Sequence, residues 1–130
     1  PMKRFLLTLF LPVLFTLSVF SQGLSEHIAD CFRKGNAPLL RGSLANQVNL
    51  TMPGLVADSD KRKTELQLTN FFKATSPHGF EVIHSSEKGD TGFLVGILNT
   101  QKGKFRVHLL MRKTNNKYLI HQIRIENFNE

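Results

Sequence analysis

The C-terminal half of the chain has the pattern of four strands joined by short turns. Such turns can connect only antiparallel neighbours, as in a β-hairpin. These strands are predicted over residues 80–85, 92–100, 104–113 and 117–126. Glycine or asparagine stands in each connection, at Gly89, Gly103 and Asn115-Asn116, where a tight hairpin needs a positive φ. Because such short connections join neighbouring strands that run in opposite directions, the segment should form an antiparallel meander.

Three helices and one further strand are predicted upstream. Apolar residues recur at helical spacing over 25–34, a short second helix with Asn36 as its cap follows over 36–40, and alternation over 48–52 predicts a half-buried strand. A third helix begins at 58–60, where acidic and capping side chains suit a helix start, and is broken at Ser76. The predicted order is α-α-β-α-β-β-β-β, an α+β fold with helices packed on a curved antiparallel sheet.

Residues 1–21 have the pattern of a secretory signal peptide. Its expected start is Met2, and Pro1 stands one position before it. Lys3-Arg4 is followed by an apolar run, and the run is shorter than the ~20 residues that a spanning helix needs. We therefore expect an exported protein, periplasmic or extracellular, with no transmembrane segment after signal removal. Residues 22–130 are enough for one domain.

Charge and cysteine content narrow the function classes. The chain has 17 Lys and Arg against 10 Asp and Glu, and loss of Lys3 and Arg4 with the leader leaves a net charge of +5. This charge is scattered apart from 61–63, and no recognition motif accompanies it, so nucleic acid is not an expected partner. Cys31 is the only cysteine, so an internal disulfide is excluded. It lies between Ile28 and Phe32 in the apolar pattern of the first helix, so we expect it to be a buried apolar residue.

A resemblance to a known family rests on core and turn patterns. They are Asn70-Phe71-Phe72, the segment 103–107 and the ending 123–126, together with a signal followed directly by a helix. With these features the chain resembles an uncharacterised family of small secreted Bacteroidetes-type proteins within the nuclear-transport-factor-2-like superfamily, the cystatin-like cone shared with ketosteroid isomerases. The resemblance covers nearly all of residues 22–130. It implies a cone closed by helices, and because that superfamily is functionally diverse it implies no particular activity.

Strand alternation predicts which side chains line the cone. The inward positions are predicted to be Phe80, Val82 and His84; Phe93, Val95 and Ile97; Phe105, Val107, Leu109 and Met111; and Leu119, His121, Ile123 and Ile125. From these strands and the third helix, the predicted pocket-lining residues are Phe71, Phe72, Phe93, Phe105, Leu109 and His121. The pocket should therefore be small and apolar.

Candidate catalytic groups are few. Glu81, Glu126 and Tyr118 fall out of the inward register, which leaves His84 and His121 as the titratable groups that could act as a general base near pH 7. Without an inward carboxylate to orient it, a strand histidine is more often structural. The five histidines show no HxH, HxxxH or HExxH spacing, so neither a metal nor a cofactor is expected.

The opposite face of the predicted sheet is also apolar. Its expected apolar positions are Leu94, Leu98, Leu110 and Ile120, with Arg106 and Arg112 beside them. Such a face is more apolar than a solvated surface needs. In the superfamily that the chain resembles, the outward sheet is commonly a dimer interface, so we expect a homodimer formed through this face.

These observations predict an exported non-catalytic binding or interaction module with a small apolar pocket, dimerising through its sheet. One alternative is a cone-fold isomerase, cyclase or hydrolase that uses His84 or His121. Another is a peripheral module that holds an anionic envelope surface or partner through Lys61, Arg62 and Lys63. An inward polar cluster in an open cavity would favour the enzyme, and a filled cone with a flat apolar outer sheet would favour the interaction module.

Overall fold

The computed structural model describes the backbone from Thr16 to Phe128 and the side chains from Gly23 onward. Most of the predicted signal peptide lies outside these residues, and the predicted cleavage point falls inside the first helix. The elements are α1 (Thr16–Lys34), α2 (Ala37–Leu40), a short 3₁₀ turn (Arg41–Ser43), β1 (Leu44–Met52), β2 (Leu55–Asp60), α3 (Lys61–Thr75), β3 (Pro77–Lys88), β4 (Thr91–Thr100), β5 (Gly103–Thr114) and β6 (Lys117–Asn127).

The strands form one six-stranded sheet in the order β2-β1-β6-β5-β4-β3. The predicted meander of β3 to β6 is confirmed, since each of these strands pairs antiparallel with the next. The α+β class is confirmed as well. The sheet is nevertheless mixed, because β1 lies parallel to β6, and it contains one strand that was not predicted, β2.

Side-chain caps fix two of the helix starts. Asn36 Oδ1 accepts the backbone N–H of Leu39 at 3.2 Å at the start of α2, as predicted. Asp60 Oδ1 accepts the N–H of Lys63 at 2.8 Å at the start of α3, where an acidic cap also suits the helix dipole. The third helix begins later than predicted because residues 55–60 first pair with β1.

The core lies between the helices and one face of the sheet. Aromatic rings connect the two layers: Phe32 of α1 lies 5.7 Å from Phe72 of α3 and 5.2 Å from Phe80 of β3, between ring centroids. The Phe80 ring occupies the space over Gly96, where an added Cβ would lie 2.3 Å from Phe80 Cζ. A glycine at this point of β4 is therefore a condition for packing Phe80.

The predicted alternation is confirmed in β5 and wrong in β4. Phe105, Val107, Leu109 and Met111 are buried, as expected. In β4, Leu94, Gly96 and Leu98 face the core, opposite Leu109, Val107 and Phe105, whereas Phe93, Val95 and Ile97 take the outer face. Both sets of β4 side chains are apolar, so alternation alone could not choose between them. Leu94 and Leu98 are thus core residues and not surface residues of an interface.

Two bulges redirect the side chains of β3 and β6. Val82 pairs with Gly96 and His84 with Val95, so Ile83 is the extra residue in β3 and His84 faces outward. In β6, Ile120 pairs with Met111 and Gln122 with Leu110, which makes His121 the extra residue. Ile120 is therefore fully buried, contrary to its predicted place in an outer interface. Each extra residue shifts the face pattern by one position.

Candidate functional site

The inner face of the sheet is left partly open beneath α1. A cleft of about 650 Å³ lies between this helix and the bulged strand β3. Its lining residues are Leu24, Ser25, Glu26, Ala29, Arg33, Phe80, Val82, Ser85, Ser86, Glu87, Phe93 and Met111. The cleft therefore joins an apolar floor to a rim of hydroxyl and charged groups.

The helix contributes one flank to the cleft. Ser25, Ala29 and Arg33 recur every four residues, so they share one side of α1. The neighbouring stripe, which includes Ile28 and Phe32, is buried in the core. Two of these side chains, Ser25 and Ala29, are small, and Arg33 adds a positive charge at the end of the helix.

The bulge at Ile83 supplies the polar wall. Because it shifts the alternation of β3, Ser85 and Glu87 turn to the inner face, where they pair with Leu94 and Gly92 of β4. In an unbulged strand these two residues would lie on the outer face. The bulge thus places a hydroxyl and a carboxylate at the cleft.

Charges of both signs stand at the cleft. Arg33 forms an ion pair with Asp30, one turn earlier on α1. Gly35, which follows the helix, lies against the ring of Pro77 at the start of β3, so helix and strand run in opposite directions along the cleft. This places Arg33 toward one end and Glu87 toward the other. The arrangement suits a ligand with an apolar body and separate polar groups.

The predicted pocket residues are mostly elsewhere. Phe93 is among the residues that line the cleft, although its register position in β4 belongs to the outer face, whereas Leu109 is buried in the core. Phe71, Phe72 and Phe105 form an aromatic cluster, with ring centroids 5.1 Å apart for Phe71 and Phe105. These aromatic residues stabilise the inside of the domain and do not line the cleft.

Neither candidate catalytic histidine lies at the cleft. His84 is exposed on the outer face, with its ring centroid 5.1 Å from that of Phe93. His121 is half-buried at the β6 bulge, and its Nε2 has no hydrogen-bond partner among the described residues. The structure therefore does not bring the two together in a site with a carboxylate.

Cys31 lies close to a histidine that was not among the predicted site residues. His27 Nε2 lies 3.8 Å from Cys31 Sγ, one turn away on α1. The thiol is buried, as predicted, and desolvation together with the nearby Asp30 carboxylate raises the pKa of Cys31. Because the thiolate is the nucleophilic form, this cysteine is poorly suited to nucleophilic chemistry.

The outer face of the sheet keeps three of the predicted interface residues. Leu110, Arg106 and Arg112 point outward, together with Phe93, Val95 and Leu119. His108 lies among them, and its pKa is lowered by burial and by the Arg124 guanidinium. Phe128 covers part of this face, with its ring centroid 4.7 Å from the Arg106 guanidinium carbon. The face therefore combines apolar side chains with several arginines, of which Arg124 pairs with Glu126 at 3.3 Å.

The described part of the chain has neither a cluster of metal ligands nor a helix that could span a membrane. Among residues whose side chains are described, no three His, Cys, Asp or Glu residues cluster closely enough to hold a metal ion. No helix in the stretch 16–128 is long and apolar enough to cross a membrane. The Lys61-Arg62-Lys63 cluster lies in the first turn of α3, outside the set of residues that line the cleft.

Comparison with known proteins identifies the family. The model of a domain of unknown function, DUF4783, matches residues 25–126. The chain belongs to the DUF4783 family. A crystallised DUF4783 protein from Bacteroides uniformis is 37% identical, with a TM-score of 0.78 over 81% of this chain and 97% of that one. Another, from Bacteroides ovatus, is 35% identical, with a TM-score of 0.77 over 80% and 94%. No curated protein matches the chain.

The fold is shared more widely than the DUF4783 family. An NTF-2 like protein of unknown function from Silicibacter pomeroyi is 14% identical, with a TM-score of 0.63 over 85% of this chain and 94% of that one. Identity this low shows the fold alone. The DUF4783 domain thus has an NTF2-like fold. The family resemblance inferred from the sequence is confirmed, and so is the fold that it implied.

Proposed function

We propose that this DUF4783 protein is an exported, non-catalytic binding module that holds a small amphipathic ligand in the cleft between α1 and β3. The observation that carries the proposal is the composition of the cleft. Phe80, Val82 and Met111 offer apolar surface, while Ser85 and Arg33 stand beside them as hydrogen-bonding groups. A few polar groups around an apolar floor are typical of small-molecule sites.

The geometry favours binding over catalysis. A general base that works near neutral pH is usually tuned by burial. The two carboxylates at the cleft, Glu26 and Glu87, belong to exposed residues, and no histidine or tyrosine is among the cleft-lining residues. Recognition of a ligand requires neither a buried base nor a histidine or tyrosine. The cleft is therefore better suited to binding a molecule than to catalysing its reaction.

Export is the part of the proposal that rests on the leader sequence. A basic start followed by an apolar run over residues 5–20 is the pattern that signal peptidase substrates share. Expression of the full chain in a bacterial host, followed by terminal sequencing of the exported protein, should give a mature start near Gln22. An exported protein that keeps residues 5–20 would contradict this.

A filled-cleft variant tests the binding role. Ser85→Phe adds a ring on the inner face of β3, whereas His84→Phe adds one at the adjacent position on the outer face, so the two form a matched pair. We expect purified wild-type protein to bind the apolar fluorophore 1-anilinonaphthalene at one site. Ser85→Phe should weaken this binding by roughly tenfold, and His84→Phe should leave it near wild type.

Equal losses in both variants, or no fluorophore binding by the wild type, would contradict the cleft proposal. Native mass spectrometry of protein recovered from its own source gives an independent measurement. A small molecule that co-purifies with the wild type and is lost from Ser85→Phe would identify the natural ligand class.

Self-association through the sheet is the second part of the proposed function. It is supported by an exposed apolar side chain on the β3 edge, since Ile83 is 57% exposed and is not among the residues that line the cleft. A dimer of this chain would contain two clefts, one in each copy. Light scattering of the purified protein at high micromolar concentration tests it, and a monomer under those conditions would contradict it.

A further inference from the structure

The two free edges of the sheet differ in how they are protected. β2 forms one edge; it has six residues, carries the exposed Asp58 and Asp60, and leads directly into α3. β3 forms the other edge and has twelve residues. Short length and charged side chains are common means of preventing edge-to-edge pairing. The β2 edge uses both of these means.

The β3 edge is longer and its centre is apolar, although the strand begins with Pro77 and contains the bulge at Ile83. Val82 and Ile83 are exposed apolar residues at its centre, and no Lys or Arg occurs before Lys88 at its end. An edge strand presents backbone N–H and C=O groups that another strand can pair with. The exposed apolar centre adds contact area at the same place.

We propose that two copies of this chain pair antiparallel through their β3 edges, with the two-fold axis between Val82 and Ile83. In this register Glu81 of one copy lies opposite His84 of the other. Phe80 then lies opposite Ser85, and Gly79 opposite Ser86. The charged and titratable side chains nearest the axis are thus complementary, because each Glu81 meets a histidine and no acid meets an acid.

The bulge makes this register consistent with the sheet faces. Residues directly opposite each other in antiparallel strands must point to the same face. Phe80 and Ser85 both face inward, opposite Leu98 and Leu94 of β4, and Glu81 and His84 both face outward, opposite Ile97 and Val95. Without the extra residue at Ile83, each of these pairs would combine an inward with an outward side chain. The second copy has the same bulge at the axis, so paired residues point to the same face of the sheet on both sides of the two-fold axis.

The outer face is a poorer candidate for a two-fold contact. Arg106, Arg112 and Arg124 all lie on it, and only Arg124 has an ion-pair partner there, Glu126 at 3.3 Å, among the described residues. Burying the other guanidinium groups unpaired in a face-to-face contact would be costly. Phe128 also occupies part of that face. The edge proposal rests on the proposed self-association and assigns it to β3.

Sedimentation velocity over a concentration series distinguishes the surfaces. Ile83→Lys places a charge at the centre of the edge and should weaken dimerisation by roughly tenfold or more. Glu81→Lys should also weaken it, and adding His84→Glu to that variant should restore it, because each lysine then lies opposite a carboxylate. Val56→Lys on the β2 edge and Leu110→Lys on the outer face are controls that should dimerise like the wild type.

Circular dichroism and melting curves establish that each variant is folded. A folded Ile83→Lys variant that dimerises like the wild type would overturn the edge proposal. A monomer produced by Leu110→Lys alone would overturn it too, while leaving self-association through the sheet in place. A monomeric wild type would overturn both self-association and the edge, whereas fluorophore binding would still test the cleft separately.

Discussion

The two helices that cover the sheet do so unequally. Under α3, Leu68 and Phe72 are buried and Thr64 donates a hydrogen bond to the Asp60 carbonyl at 2.8 Å, so that half is filled. Under α1, the flank that carries Ser25 and Ala29 leaves an open cleft. Both helices contribute to the core, since Ile28 and Phe32 of α1 are also fully buried, but only α1 borders a cleft. Substitutions under α3 should therefore change stability alone, and substitutions at the cleft should change ligand binding.

Removing a large side chain from the filled half should have the largest effect. Leu68 is fully buried, so Leu68→Ala should lower the free energy of unfolding by about 2–5 kcal/mol. Leu66, two residues earlier on the same helix, is 57% exposed, and Leu66→Ala should change stability by less than about 0.5 kcal/mol. Chemical denaturation of both variants makes the comparison, and similar losses would show that the α3 half is not selectively packed.

Adding one carbon beside the cleft should have the next largest effect. Gly96→Ala forces Phe80 to move, since the new Cβ would lie 2.3 Å from its ring, and overpacking of this kind costs about 1–3 kcal/mol. Because Phe80 also lines the cleft, fluorophore binding should change together with the melting temperature. Adding Phe80→Leu to Gly96→Ala should recover part of the loss. A fully stable Gly96→Ala variant would mean that the Phe80 ring is free to relocate.

Loss of the α3 cap should have a smaller effect, again confined to the filled half. Asp60→Ala removes the acceptor for the Lys63 N–H and should lower stability by about 1 kcal/mol. Asp60→Asn keeps an acceptor oxygen and should remain close to wild type. Neither substitution should alter fluorophore binding at the cleft. A binding defect in Asp60→Ala would show that the two halves are coupled.

The smallest effect is expected from the outer face, which both halves share. Burial and the Arg124 guanidinium lower the pKa of His108, so the unfolded chain binds its proton more readily than the folded one. This histidine should therefore reduce stability as pH falls below about 6.5, the ordinary histidine value. Thermal melts from pH 8 to 5 should show a shallower loss for His108→Gln than for wild type. Identical slopes would contradict this assignment.

Local signals were sufficient for most of the fold. Short turns identified the meander, and Asn36 and Asp60 act as helix caps within the segments where the sequence placed caps. The strand β2 was missed because its last three residues, Asp58-Ser59-Asp60, also have the composition of a helix start. The parallel pairing of β1 with β6 could not be predicted, since no local pattern specifies which distant strands become neighbours.

The candidate site was harder to predict than the fold. Alternation gave the correct face for β5, where Arg106 and His108 mark the polar side, but it failed in β4, which is apolar on both faces. Bulges then reversed the expected orientation of His84 and moved Glu87 to the cleft. A bulge depends on pairing with a neighbouring strand, so the sequence of β3 alone does not reveal it.

The parallel contact between β1 and β6 has a consequence for the order of folding. Leu50 pairs with Ile123, which lies 73 positions later in the chain. The meander can form from contacts between adjacent segments, but the β1–β2 hairpin gains its neighbour in the sheet only after the last strand has been synthesised. Contacts this distant carry a loop-closure cost that slows folding. A nascent chain that has not yet reached β6 therefore holds its N-terminal hairpin without the strand that completes the sheet.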